Sequence, residues 1–229
     1  STFHPIKNAK YGIEWAHEIN GLTDPTENSC VSSIQEAEKQ PAYKTVSNKE
    51  PDMDDFNIVA AIDFGTALSG CAYSTRKDFK DDKLLINCQQ CWNQYDSMNQ
   101  NMVKTATCIL LHNKKGFEAF GFDAQCRYTH LDIKEKDEYL YFSYFKMSLY
   151  NSTVPLHKLQ IKDVRRKDSK PAEELVSLSI KALKDSLINE IKETGKYPET
   201  DLKIRWVLTV PAIWDDEAKL FMRECARKN

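Results

Sequence analysis

The chain has 229 residues, 41% of them hydrophobic and 29% charged, with a formal net charge of −2. That supports one sizeable core, and the near-neutral balance excludes the concentrated basic surface of a nucleic-acid groove or an anionic-membrane binder. No stretch approaches the ~20 apolar residues of a membrane helix, the polar N-terminus carries no secretory apolar region, and seven irregularly spaced cysteines suit a reduced, cytoplasmic chain.

Residues 1–55 mix Pro5, Pro25, Pro41 and Pro51 with polar residues, show no sustained period, and are expected to form a flexible polar leader. The composition then changes sharply. Phe56 to Ile62 is a short apolar run of the length of a buried strand. Asp63-Phe64-Gly65-Thr66 follows as a turn, and Gly70 to Ser74 reads as the returning strand of a hairpin. Residues 76–83 are expected to be a charged loop. Leu84 to Ile86, Thr107 to Leu111 and Phe117 to Phe120 are strand candidates, with a turn at Asn113 to Gly116.

Further on, 122–130 and the aromatic-rich 136–149 are expected to be helical, and Leu156 to Ile161 alternates as a strand would. Pro171 opens a long helix at the first helical position, with Val176, Ile180, Leu183, Leu187 and Ile191 on one face and Gly195 as its stop. Ile204 to Val210 is another apolar strand, ended by Pro211. Asp215 or Asp216 starts a last helix carrying Ala218, Phe221, Met222 and Cys225. Strands, a long helix, then strand and helix give an α/β fold with a mixed sheet.

The strand–Asp-x-Gly-Thr–strand element carries the most chemistry. Gly65 can take a positive φ and bring backbone close to a ligand. Successive N–H groups in such a turn accept phosphate oxygens, and Thr66 adds a hydroxyl. Asp63, at the end of a buried strand, is a poorly solvated carboxylate that needs a cation, which hydrated Mg²⁺ on a nucleotide would supply. The plainer alternative is a β-turn whose N–H groups Asp63 caps. Cys88-x-x-Cys91 lacks a second ligand pair at zinc spacing.

The run Val59 to Gly70 resembles the first phosphate-binding hairpin of the actin, hexokinase and 70-kDa heat-shock superfamily. In the same order, Lys104-Thr105-Ala106-Thr107 and Phe120 to Ala124 resemble segments of heat-shock members, and Leu140 to Met147 and Arg205 to Trp214 resemble the 12A/12B branch of that family. The resemblance implies that residues 56–229 form the first lobe of a ribonuclease-H-like, actin-like nucleotide-binding domain, with a mixed sheet flanked by helices and the second lobe absent. It implies ATP or ADP with Mg as cofactors. Gly65, Thr66 and Ala67 would hold the β- and γ-phosphates, with Ala67 standing where the family usually carries a second Thr. Asp63 would act on Mg through water, and Lys146 would orient the attacking water and steady γ-phosphate charge. Pro211 matches a proline that relays nucleotide state, but Lys219 replaces its usual arginine partner, a point charge in place of a fork. The expected partners are nucleotide and a protein partner or client in a chaperone-like stress response. Half a cleft encloses a nucleotide poorly, so weak or no activity of this lobe alone is expected. The alternatives are a truncated, non-catalytic paralogue acting as an interaction module, and a small-molecule kinase of the same superfamily, which the Trp206 to Trp214 stretch disfavours.

Overall fold

The computed structural model describes residues 56–89, 102–150, 152–195, 202–211 and 214–228. The expected leader 1–55, Cys91 and the Ala212-Ile213 pair lie outside the described residues.

The hairpin forms as expected. β1 (Ile58–Asp63) and β2 (Leu68–Thr75) pair antiparallel from Ile58↔Thr75 to Asp63↔Gly70. A short helix, α1 (Arg76–Asp81), then replaces the expected charged loop. Thr75 initiates it, its hydroxyl accepting from the Asp78 N–H at 3.0 Å, which satisfies one of the donors a helix start leaves open. The strand expected at Leu84 to Ile86 is displaced to β3 (Asn87–Cys88), pairing β2 through Ala72↔Cys88. Leu84 and Leu85 are exposed, so this apolar doublet never enters the core. β4 (Thr105–Ala106) pairs the other end of β2, through Leu68↔Ala106 and Ser69↔Thr105.

A second, three-stranded sheet holds β5 (Cys108–His112) between β6 (Gly116–Phe120) and β7 (Tyr139–Ser143). α2 (Gly121–His130) follows β6 and packs on β5. The expected helix over 136–149 is wrong in kind. Glu135–Glu138 is one 3₁₀ turn, Tyr139–Ser143 is β7, and only Met147–Tyr150 (α3) is helical. Both faces of this sheet are covered. Leu140 and Phe142 join the main core, with Ile109 and Leu111, while Tyr139 and Tyr141 pack with Cys108, Leu110 and Ala124 on the other face. Aromatic side chains fill a pleated, two-sided site well, and a strand buried on both faces loses the polar–apolar alternation that identifies strands.

Leu156–Lys158 is a 3₁₀ turn, and β8 (Gln160–Lys162) pairs β9 (Ser169–Pro171), so the strand expected at 156–161 is shorter and later. The long helix is α4 (Ala172–Glu193), with Pro171 capping it from outside and not occupying its first position. Its buried face runs Leu175, Val176, Ile180, Leu183, Leu187, Ile191, the expected stripe. It ends with Gly195 at φ 63, the left-handed stop that glycine adopts without a Cβ clash. β10 (Ile204–Leu208) returns to pair β1 in parallel, from Ile58↔Ile204 to Ile62↔Leu208. α5 (Asp216–Arg227) begins as expected, with the Asp215 carboxylate accepting from the Ala218 N–H at 2.8 Å. The main sheet has the order β10-β1-β2-β3, with β4 on β2. It is mixed, because the β1–β10 pair is parallel while β2 pairs β1, β3 and β4 antiparallel. α4 and α5 pack on each other and share one core with Ile58, Ala60 and Ile62 of β1.

Candidate phosphate site at the β1–β2 turn

The turn between β1 and β2 holds four of the five expected site residues. Asp63 ends β1, and Gly65, Thr66 and Ala67 form the connection, with Gly65 and Thr66 half-buried and Ala67 exposed. Gly65 is required for a reason other than the expected one. A Cβ there would lie 2.1 Å from the Leu68 carbonyl oxygen, and Gly65 is not among the positive-φ glycines, so the turn closes by close approach of backbone to backbone. The outer end of the turn is tied down by β4 and its successor. The Thr107 N–H donates to the Ala67 carbonyl at 2.8 Å, and the Ser69 and Thr107 hydroxyls meet at 2.7 Å in the interior.

Lys146, the fifth residue, is brought to the same place from beyond β7. It is buried, at 5% exposure, and its ammonium donates to the Phe64 carbonyl, the residue between Asp63 and Gly65. The ammonium also lies over two rings, 5.6 Å from the centroid of Phe64 and 5.1 Å from that of Trp214, within the range of cation–π attraction. Phe145 supports the floor, tilted against Phe64 at 6.0 Å. Tyr144 makes this possible by taking φ 54, an unusual conformation for a non-glycine residue. There Tyr144 stands exposed while Phe145 and Lys146 are both buried. A charge sheltered to this degree is costly unless compensated, and the carbonyl and the two ring faces compensate it.

Two further residues complete the cluster, and both escaped sequence reasoning as individuals. Thr209, just past β10 and buried, donates its hydroxyl to Asp63 Oδ1 at 3.0 Å, while its N–H continues the parallel ladder to the Ile62 carbonyl at 3.0 Å. Lys104, just before β4, donates to Asp63 Oδ2 at 2.8 Å. Both sit inside segments that resemble the heat-shock family, and the signal that could have found them is the need of a buried carboxylate for partners. The next residue, Thr105, links the site to α2. Its hydroxyl accepts from the Phe122 N–H at 2.8 Å, and Gly121, at φ 72, leaves the space, since a Cβ there would meet that hydroxyl at 2.2 Å. Cys71, opposite Ile62 on the adjacent strand, is fully buried. Burial first, then the Asp63 and Glu190 charges, push its thiol well above the usual range, so it is inert as a nucleophile.

The arrangement gathers two lysine ammonium groups, the turn backbone and Thr66 at the end of β1. Among the described residues no three His, Cys, Asp or Glu side chains stand together as metal ligands. Both oxygens of Asp63 already carry donors, one of them a cation. Pro211 accepts from the Trp214 N–H at 3.1 Å, and Lys219 pairs with Asp216 at 3.5 Å within its own helix. No helix of the described residues is long and apolar enough to cross a membrane.

No protein-family model matches the chain. Curated relatives do. Heat shock 70 kDa protein 12B of Homo sapiens is 38% identical over 179 residues, 78% of this chain and 25% of that protein. Heat shock 70 kDa protein 12A of Mus musculus is 35% identical over 171 residues, 75% of this chain and 24% of that protein. The chain therefore spans about a quarter of the length of the curated relatives it matches. Over three-quarters of its length this chain is thus similar, at 34–38% identity, to heat shock 70 kDa proteins 12A and 12B.

Proposed function

We propose that residues 56–229 are the first lobe of an actin-like ATP-binding domain, with the 63–67 turn as its phosphate site, in a chaperone-like cytoplasmic protein. One observation carries this reading: Lys146, 82 positions away in sequence, is buried with its ammonium on the carbonyl of Phe64, at the base of the turn. Positive charge sheltered from water interacts more strongly with an arriving phosphate than a surface lysine does. In this reading Gly65, Thr66 and Ala67 present backbone N–H groups to the β- and γ-phosphates of ATP or ADP, and the Thr66 hydroxyl adds a donor. Lys146 steadies the γ-phosphate and holds attacking water in line. Phosphoryl transfer asks for such positioning and charge neutralisation more than for covalent chemistry. Asp63 keeps its place in the cluster by holding the ends of β10 and β4 to the turn. The lobe alone covers one side of the nucleotide, so its affinity and turnover are low until a second lobe closes over it.

The test is calorimetric titration with Mg-ATP. Lys146→Ala and Thr66→Ala should each weaken binding, the lysine change by about tenfold or more because a charge-assisted bond to phosphate is lost. Folding of each variant is checked by its thermal melt. Unaltered nucleotide affinity in folded Lys146→Ala would refute the assignment. Ala67 favours a second reading, since the exposed position has no hydroxyl where the family usually carries one. A non-catalytic module of the same fold would give no nucleotide heat from folded protein and would retain a protein partner.

A further inference from the structure

We infer that Lys104 supplies at Asp63 the positive charge that a divalent cation would otherwise bring, so that phosphate binding at the 63–67 turn does not depend on a metal ion. This rests on the phosphate reading above and extends it to the nature of the counter-charge.

Three observations carry it. The Lys104 ammonium is 2.8 Å from Asp63 Oδ2, and Thr209 holds Oδ1 at 3.0 Å, so each carboxylate oxygen has a donor before any ligand arrives. The outer member of the ion pair is the cation: the Lys104 side chain is 26% exposed and the Asp63 side chain 13%. An anion approaching this part of the turn therefore meets an ammonium ahead of a carboxylate. The placement is also built into the strands. Lys104 crosses β2 at Gly70, where a Cβ would come within 3.0 Å of Lys104 Cγ and 2.7 Å of the Val103 carbonyl oxygen. Any side chain at that position pushes the lysine off the strand.

The charge balance follows. With Lys104 and Lys146 against Asp63, the turn is net positive without a metal. A dication at Asp63 would have to displace the ammonium or sit beside it, and like charges at ion-pair distance repel strongly in a partly desolvated site. Lysine is a competent phosphate partner as a point charge. Displaced toward a phosphate, it does the neutralising itself.

The experiment is calorimetric titration of the full chain with ADP and with ATP, once in excess Mg²⁺ and once in excess chelator. The proteins are the wild type, Lys104→Met and Lys104→Arg, each with its thermal melt. The wild type should lose less than about threefold in affinity on chelation, Lys104→Arg should behave like it, and Lys104→Met should lose about tenfold or more. A tenfold or larger loss in the wild type would overturn the inference while leaving the phosphate site standing. So would a Lys104→Met protein with the wild-type ratio. If Lys104→Met does not fold, the wild-type ratio and the Lys104→Arg ratio decide alone. A folded wild type that binds neither nucleotide under either condition refutes the phosphate reading, and this inference with it.

Discussion

Asp63 shows how a single carboxylate organises a site from distant parts of a chain. Thr209 and Lys104 reach it from 146 and 41 positions away. Neither leaves a local pattern, so a reader of the sequence sees a threonine before a valine-proline pair and a lysine before a threonine, both unremarkable. The turn at Asp63, Gly65 and Thr66 was legible because Asp-x-Gly-Thr after an apolar run announces one, whereas Ala67 entered through resemblance. Lys146 was legible only through resemblance, since local spacing cannot distinguish a sheltered ammonium from one at the edge of an aromatic segment. The role of Gly65 was misjudged in its cause: the requirement is proximity to the Leu68 carbonyl. Because that oxygen is backbone and cannot swing aside, Gly65→Ala should destabilise the fold by about 2 kcal/mol or more. A denaturant midpoint shift would measure it, and a change of a few tenths would contradict the geometry.

At the scale of elements, what the sequence revealed depended on whether one face or two are covered. α4 packs one face and keeps the other in water, so its stripe is plain. Leu183 and Leu187 are fully buried on that face. Leu183→Ala should cost about 2–5 kcal/mol, the range for an emptied leucine site, read from the loss of unfolding free energy in urea; a cost below 1 would mean that the core collapses freely around the gap. α5 was legible for the same reason and through the capping aspartate. β7 was not, because the main core takes Leu140 and Phe142 while Tyr139 and Tyr141 pack on the other side, where Tyr141 stacks on Tyr128 of α2 at 4.4 Å. α1 was missed because a helix of six residues has no period to detect, and its evidence is the cap at Thr75.

For the molecule as a whole, buried thiols contribute to the loss of stability at alkaline pH. Burial holds the thiols of Cys108 and Cys225 at about 11 against an ordinary value of 9.0. A folded value raised above the unfolded one means that folding binds the proton more tightly. The associated stability is complete below pH 9 and is lost as pH rises from about 9 toward about 11. The melting temperature should therefore fall across that window. Cys108→Ala and Cys225→Ala, each with a lower starting melt, should show a shallower fall, and an unchanged slope in both would remove the thiols as its cause. Cys71 shares the same direction. Alkylation of the folded chain should accordingly modify half-buried Cys126 well before these three.

The parallel pairing of β1 with β10 also has a consequence in time. β1 is made early and its neighbour Thr209 lies 146 positions later. At ribosomal speed that gap is roughly seven to thirty seconds. Throughout it, the Ile-Val-Ala-Ala-Ile strand presents an open backbone edge on the side that β10 will occupy, the kind of edge that recruits other strands. Every newly synthesised copy thus passes through an interval in which it needs shelter from its neighbours on a crowded polysome, and the phosphate turn acquires its Thr209 contact only as that interval closes.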